Sequence, residues 1–297
     1  MLSTLTSAAE VAGLVKDEEA ALKLLVDEGV LTLDRICKNC GSPMALRKRK
    51  NTFEFRCRKS RKADCSTEGL RKNSWFSNTR IPLKDALMII VLWINKYTSK
   101  QIVKETKLSP STVVDFRNYL RNGCSEIVKK YEVIGGQGKV VQIDESAVHT
   151  RKYGRGEKQR ELTWILGAIE DGSRKCMMQI VPNRTKAVMV PLIRSWIDGQ
   201  SEVHTDCHKS YGTLSRYFSA HRTVNHNEEF KKVMSDGTIV HTNTIESLWK
   251  RVKQPLKEGN GTSESLLPSY LDEIIVRERE GDRFASRIWK FIKDFKP

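Results

Sequence analysis

Three carboxylates stand out in a chain that is otherwise rich in bases. Asp144 closes the run Val-Val-Gln-Ile-Asp, Asp206 closes Glu-Val-His-Thr-Asp, and Glu246 lies within Asn-Thr-Ile-Glu-Ser-Leu-Trp. An apolar strand ending on an acid delivers that carboxylate to the strand's C-terminal edge, where α/β sites are commonly built. Any one such Asp is ordinary as a turn or cap residue. Three from separate elements can hold a pair of hard divalent cations about 3.5–4 Å apart. That arrangement suits phosphodiester chemistry, in which a protein positions groups and neutralises charge more than it reacts covalently.

Four of the seven cysteines offer a second chemistry. Cys37-Lys-Asn-Cys40 is a CxxC pair, and Cys57 and Cys65 follow across a basic, β-prone stretch. A CxxC knuckle sets two thiolates on one turn, Gly41 suits that turn, and tetrahedral zinc takes four such ligands. The second pair is spaced by seven residues rather than two, and buried free thiols are the plainer alternative. A Zn²⁺ ribbon is the reading adopted, because bound metal explains how so small and polar a segment folds. The odd cysteine total fits a reducing compartment better than a disulfide scaffold.

The charge is uneven. Lys plus Arg number 52 against 36 Asp plus Glu, a net +16 over 297 residues. From Cys37 to Arg80 thirteen bases face three acids, whereas Met1 to Ile36 carries three bases against seven acids. A basic excess points to a polyanionic partner, nucleic acid first. The run Arg47-Lys48-Arg49-Lys50 is interleaved with Phe53, Phe55, Trp75, Phe76 and the cysteines, which favours a folded basic module over a solvated tail. No apolar run approaches the roughly 20 residues of a membrane span. The acidic start is unlike a signal peptide, so secretion is not expected.

The elements that must position these groups follow from periodicity. Met1 to Asp34 reads as one or two amphipathic helices. Leu83, Leu87, Ile90, Val91 and Ile94 form an apolar helical stripe. Ser99 is expected to cap a short helix to Thr106, and Ser109-Pro110 opens a longer one. Helix, short turn, helix suggests a helix-turn-helix whose second helix offers Arg117 and Arg121 to a groove; a small packing bundle is the bland alternative. Gly135-Gly-Gln-Gly138 marks the main boundary, and it is no phosphate loop, since it lacks the GK[ST] ending and precedes a strand. Strands are expected at Val140 to Ile143, Leu162 to Ile169, Met177 to Val181, Glu202 to Thr205 and His221 to Asn225. Helices are expected at Thr185 to Trp196, Ser210 to Phe218, Thr242 to Leu256 and Ser265 to Arg279, with only a short tail beyond. Strands first, then helix and strand alternating, make an α/β mixed sheet flanked by helices.

The ordered set Ile143-Asp-Glu-Ser146, Lys152-Tyr-Gly-Arg-Gly156, Trp164-Ile-Leu-Gly167, His204-Thr-Asp206 and His241-Thr-Asn-Thr-Ile-Glu-Ser-Leu-Trp249 resembles the DDE transposases of the Merlin superfamily and its bacterial insertion-sequence relatives. The resemblance runs from about Cys37 to Arg279. It implies an RNase H-like catalytic domain over 135–297, preceded by a zinc-ribbon-like module (37–80) and a helix-turn-helix-like region (81–134), with the N-terminal helical segment (1–36) lying before them. It implies cut-and-paste movement of double-stranded DNA with terminal inverted repeats, Mg²⁺ or Mn²⁺ as cofactor, and a homo-oligomer in the DNA complex. Asp144 and Asp206 match the first two metal-binding acids. Glu246 is preferred as the third on charge grounds, with Asn243 the alternative on the same helix. Lys253, two turns past Glu246, suits a DNA phosphate. Trp249 reads as core or stacking support, and Glu145 as a neighbour pointing to the other face of the strand. The protein is expected in the nucleus of a eukaryotic host, the favoured setting, or in a bacterial cytoplasm. Two other readings stay open: a transposase-derived DNA-binding protein without catalysis, and an RNase H-fold nuclease without strand transfer.

Overall fold

The computed structural model describes residues 5, 7–49, 52–58, 63–151, 160–225, 232–233, 235, 237, 239–258 and 262–296. Lys50 and the Lys152 to Gly156 motif lie outside them. In chain order the elements are α1 (Ala8–Leu14), α2 (Glu18–Asp27), β1 (Ala45–Arg49), β2 (Thr52–Arg58), β3 (Asp64–Gly69), α3 (Leu83–Ile94), α4 (Ser99–Thr106) and α5 (Pro110–Val128). There follow β4 (Val140–Arg151), β5 (Arg160–Glu170), β6 (Cys176–Val181), α6 (Lys186–Trp196), β7 (Glu202–Thr205), β8 (Ala220–Thr223), β9 (Lys232–Val233), β10 (Ile239–Val240), α7 (Asn243–Glu258), α8 (Leu267–Glu280) and α9 (Phe284–Asp294). Two compact units result, Met1–Gly123 with Asp282–Pro297, and Cys124–Gly281.

In the first unit, β1, β2 and β3 form an antiparallel sheet in that order. α3 buries most of its residues, not the single stripe its pattern predicts, because α1, α2 and α4 all adjoin it. Pro82 offers α3 no side-chain cap, and Glu18 of α2 fills the role by accepting from Leu83 N at 2.8 Å and Lys84 N at 3.2 Å. That satisfies orphan donors at the helix start. The N-cap of α4 is Thr98 rather than Ser99: its hydroxyl accepts from Gln101 N while the Gln101 side chain accepts from Thr98 N. The expected short C-terminal tail is instead α9. Phe284, Ile288, Trp289 and Ile292 recur at helical spacing and are buried, with Phe284 5.4 Å from the Trp93 ring. Interleaved Arg287, Lys290 and Lys293 disguised that apolar face.

The second unit holds a five-stranded mixed sheet of order β6-β5-β4-β7-β8, antiparallel from β6 to β4 and parallel from β4 to β8. Val141, Ile143 and Val203 bury against Met189, Val190 and Ile193 of α6 on one face. On the other, Ile165, Ile169 and Met178 pack with Ile245, Leu248 and Val252 of α7 and Leu271 and Ile275 of α8. The α/β class and the flanking helices thus match expectation. Residues 210–218 do not form the expected helix. Gly212-Thr213 splits them into two 3-10 turns, Lys209–Tyr211 and Leu214–Arg216, which still bury Tyr211 and Leu214. No helix among the described residues is long and apolar enough to cross a membrane.

Candidate functional site

The site is set by where β7 stops. β4 and β7 pair in parallel through Gln142 opposite His204. Asp144 and Asp206, each two residues further along, therefore reach the same level. β7 ends at Thr205, so beyond that level β4 has lost its neighbour and the carboxylates meet in the space left. Asp144, Asp206 and Glu145 offer oxygens that all lie within 4.8 Å of one another, a group that can hold a metal ion.

Side chains alternate along β4. Gln142, Asp144 and Ser146 face α7, as hydrogen bonds to Thr244 and Trp249 and the lining of an α7 pocket attest. Val141 and Ile143 face the α6 side, and so does Glu145, which neighbours Tyr211. Glu145 does point to the opposite face, yet it is long enough to reach Asp206 around the unpaired edge. No sequence pattern carried that signal, because it depends on the length of β7.

Crowded carboxylates resist ionisation. Burial raises the pKa of Asp144 to about 6, helped by the charges of Glu145 and Asp206 and opposed by hydrogen bonds from Trp249 and the Glu145 backbone. Glu145 is raised by burial and then by Asp206, with Tyr211 and Arg184 acting against them. Asp206 Oδ1 accepts from His208 N at 2.9 Å, which fixes the chain as it leaves β7.

α7 is pinned to β4 from two points. Gln142, fully buried, accepts from Thr244 N at 3.0 Å and Ile245 N at 3.1 Å, capping the helix from outside its own sequence. Its amide donates to His241 Nδ1 and to Asp171. About one turn along, Trp249 Nε1 donates to Asp144 Oδ2 at 2.9 Å. Trp249 reaches there only because its ring lies on Gly167, the β5 partner of Asp144; a Cβ at 167 would sit 2.5 Å from Trp249 Cη2. Trp249 is thus core and also a direct partner of the first acid.

Glu246 stands outside the three-carboxylate group. It lines a pocket on α7 with Ser146, Trp249, Lys250, Lys253, Gln254 and Lys257, and it accepts from Thr242 Oγ1 at 3.2 Å. Asn243 is the first residue of α7. The structure therefore brings Asp144 and Asp206 together with Glu145, and places Glu246 beside Lys253.

In the other unit, the four thiols Cys37, Cys40, Cys57 and Cys65 lie within 4.8 Å of one another and can hold a metal. The Sγ separations of Cys37–Cys65 at 3.7 Å and Cys40–Cys57 at 3.4 Å approach the edge of a tetrahedron, about 3.8 Å for metal–sulfur bonds of about 2.3 Å. Gly41 adopts φ +72° as the knuckle turns back, its N–H bonding Cys37 O at 2.8 Å. The irregular second spacing is explained by the sheet: Cys57 on β2 pairs with Ser66 and Arg58 with Asp64, and this register shift leaves Cys65 unpaired on β3, where its thiol can join the cluster. The Ser66 hydroxyl lowers Cys37 to about 6, while Cys57 is pushed up to about 12, first by its contact with Cys40 and then by burial.

The basic residues divide sharply. Arg47, Lys48 and Arg49 are exposed on edge strand β1, with Lys48 paired to Glu19 at 2.7 Å and Arg49 to Glu54 at 3.3 Å. Arg117 bonds Ser99 Oγ at 2.5 Å, tying α5 to α4. Arg121 is 2% exposed and bonds Asn118, so its guanidinium has no face open to a groove.

Residues 133–278 match the model of the ISXO2-like transposase domain. An uncharacterized transposase-like protein of Haemophilus influenzae (strain ATCC 51907 / DSM 11121 / KW20 / Rd) is 30% identical over 94 residues, which span 32% of this chain and 72% of that protein. A chain in the simian T-cell lymphotropic virus intasome complexed with PP2A regulatory subunit B56 gamma superposes at a TM-score of 0.29 and 11% identity. That match covers 62% of this chain and 64% of the other, too slight a likeness to argue from.

Proposed function

Because the chain belongs to the ISXO2-like transposases, insertion-sequence proteins of the DDE type, we propose that it cuts and rejoins DNA at the terminal inverted repeats of its element, by metal-dependent hydrolysis and then transesterification. The observation that carries this reading is the meeting of Asp144, within β4, and Asp206, just past the end of the parallel strand β7. An all-oxygen donor set fits hard Mg²⁺ or Mn²⁺. Such cations supply neutralisation of phosphate charge and activation of the attacking water or 3′-hydroxyl.

The chain's own residues divide the rest of the work. Asp144, on β4, and Asp206, just past β7, would hold the cations. Trp249 occupies Asp144 Oδ2 and so sets the direction of the remaining lone pairs. Glu246, with Asn243 as the alternative, completes the metal-binding set from α7. Lys253, flanked by Lys250 and Lys257, meets the DNA backbone beside Glu246. The mixed sheet is read as RNase H-like. The four thiols, a soft set near tetrahedral spacing, fit Zn²⁺. The exposed bases of β1 suit phosphate contact, and the α4–α5 pair suits a helix-turn-helix.

The test is a supercoiled plasmid carrying the inverted repeats that flank the gene, incubated with purified protein and Mg²⁺. Excision followed by joining to a second duplex is expected. Cutting without joining would make the protein a nuclease, and repeat-specific binding without cutting would make it a DNA-binding derivative.

A further inference from the structure

Glu145 is a buried carboxylate that the Tyr211 hydroxyl approaches as a donor, with no well-formed ion pair among the described residues. Its side chain is 3% exposed, and Oε1 has no hydrogen-bond donor among the described residues. The nearest cationic candidate, His208 Nδ1, stands 3.9 Å away, beyond hydrogen-bond distance. Tyr211 is 1% exposed, and its hydroxyl also lacks a partner within hydrogen-bond geometry. Its surroundings are acidic: after burial, the charges of Glu145, Asp144 and Asp206 hold its pKa well above the ordinary value. Tyr211 can satisfy one oxygen of Glu145, but a neutral hydroxyl leaves the clustered charge of Glu145, Asp144 and Asp206 uncompensated. With oxygens of Asp144, Glu145 and Asp206 all within 4.8 Å, a cation fits as the compensating partner for the carboxylates.

We infer that Glu145 is a direct ligand of the divalent cation held by Asp144 and Asp206, and that the Tyr211 hydroxyl is the positioning donor for its free oxygen. This rests on reading the site as a metal-dependent phosphoryl-transfer centre. It divides labour between the two faces of β4. Asp144 comes from the α7 side with Trp249 behind it, Glu145 from the α6 side with Tyr211 behind it, and Asp206 from the end of β7. Glu246, standing in the lysine-lined pocket, is then left for the second cation.

Mn²⁺ titration of the full chain, read by the loss of the free-ion electron paramagnetic resonance signal, tests the assignment without requiring activity. Glu145→Gln is isosteric and removes only the charge. It is expected to weaken Mn²⁺ binding about tenfold or more, while the metal-free unfolding temperature stays at or above that of the wild type. Tyr211→Phe is expected to weaken binding several-fold (about 3- to 10-fold) with the same thermal outcome. Mn²⁺ affinity in Glu145→Gln within about twofold of wild type, with Asp144→Asn impaired, overturns the role of Glu145 and leaves the Asp144–Asp206 site standing. A loss of affinity matched by a lower metal-free unfolding temperature also overturns it, since Glu145 would then be structural. Wild-type affinity in Asp144→Asn overturns the metal site altogether, and the functional reading with it.

Discussion

Trp249 Nε1 donates to Asp144 Oδ2 across 2.9 Å, and this bond joins α7 to the first acid of the site. It is a charge-assisted hydrogen bond in a half-buried setting, the kind worth about 1.5–3 kcal/mol. Trp249→Phe keeps most of the ring's packing and removes the donor. Single-turnover cleavage of repeat-bearing DNA should fall roughly tenfold to a hundredfold. The check is a quench-flow gel assay, and an unchanged rate would show that Asp144 needs no such support.

The same indole makes Gly167 intolerant of any side chain. A Cβ there would fall 2.5 Å from Trp249 Cη2 and 2.8 Å from Cζ2, inside a packed interior with Ile245 at 3.4 Å. Gly167→Ala should destabilise the protein by about 1–3 kcal/mol through overpacking. It should also lower cleavage, because the indole that must yield is the one bonded to Asp144. Denaturant unfolding and the cleavage assay on the same preparation read both effects.

The raised pKa of Asp144 gives the metal-free protein a pH dependence of known sign. The carboxyl moves from 3.8 to about 6 on folding, so the native state holds the proton more tightly than the unfolded chain. The stability this confers is complete at low pH and is lost as pH rises from about 4 to about 6. Allowing for water at a half-buried group, the loss is about 1–2 kcal/mol. Asp144→Asn should flatten that slope and stabilise the metal-free protein at pH 7 by a similar amount. Thermal unfolding in chelator at pH 4.5 and 7 is the measurement; a variant no more stable than wild type at pH 7 would contradict it.

How much of this was legible in the sequence depends on range. Asp144 and Asp206 are legible because an apolar run followed by an acid is a local pattern; β7 occupies the expected residues Glu202–Thr205, but β4 does not end at Ile143 and runs on past Asp144 to Arg151, paired with β5. Glu145 does face away from Asp144, as strand alternation predicts, and only the early end of β7 lets its carboxylate return to the cluster. Gly167 lay inside a noticed motif, but its purpose needed Trp249, 82 positions later, laid upon it. Arg121 looked like a groove residue because type and spacing say nothing of depth, and the fold buries it. α9 went unseen because charges interrupt its apolar face, and residues 210–218 fooled the periodicity at Gly212-Thr213.

The four-cysteine cluster predicts a metal-dependent fold for the sheet of β1, β2 and β3. These strands bury few side chains besides Phe55 and Cys57, so little apolar packing holds them without the thiols. One zinc per chain should be found in protein purified without chelator. Cys40→Ser or Cys57→Ser should lose it, and Cys40→Ser leaves an exposed position otherwise undisturbed. Elemental analysis gives the stoichiometry, and hydrogen exchange should report loss of protection across 45–69 when the metal is removed.

The most direct measurement sets binding against cleavage in one set of samples. Wild type, Asp144→Asn and Asp206→Asn are mixed with duplexes bearing the element's terminal repeat and Mg²⁺, and bound and cut DNA are quantified together. All three should bind comparably, with affinity falling as salt rises, while cleavage should drop by roughly a thousandfold or more in both variants. Full cleavage by either variant would contradict the site where Asp144 of β4 meets Asp206 at the end of β7.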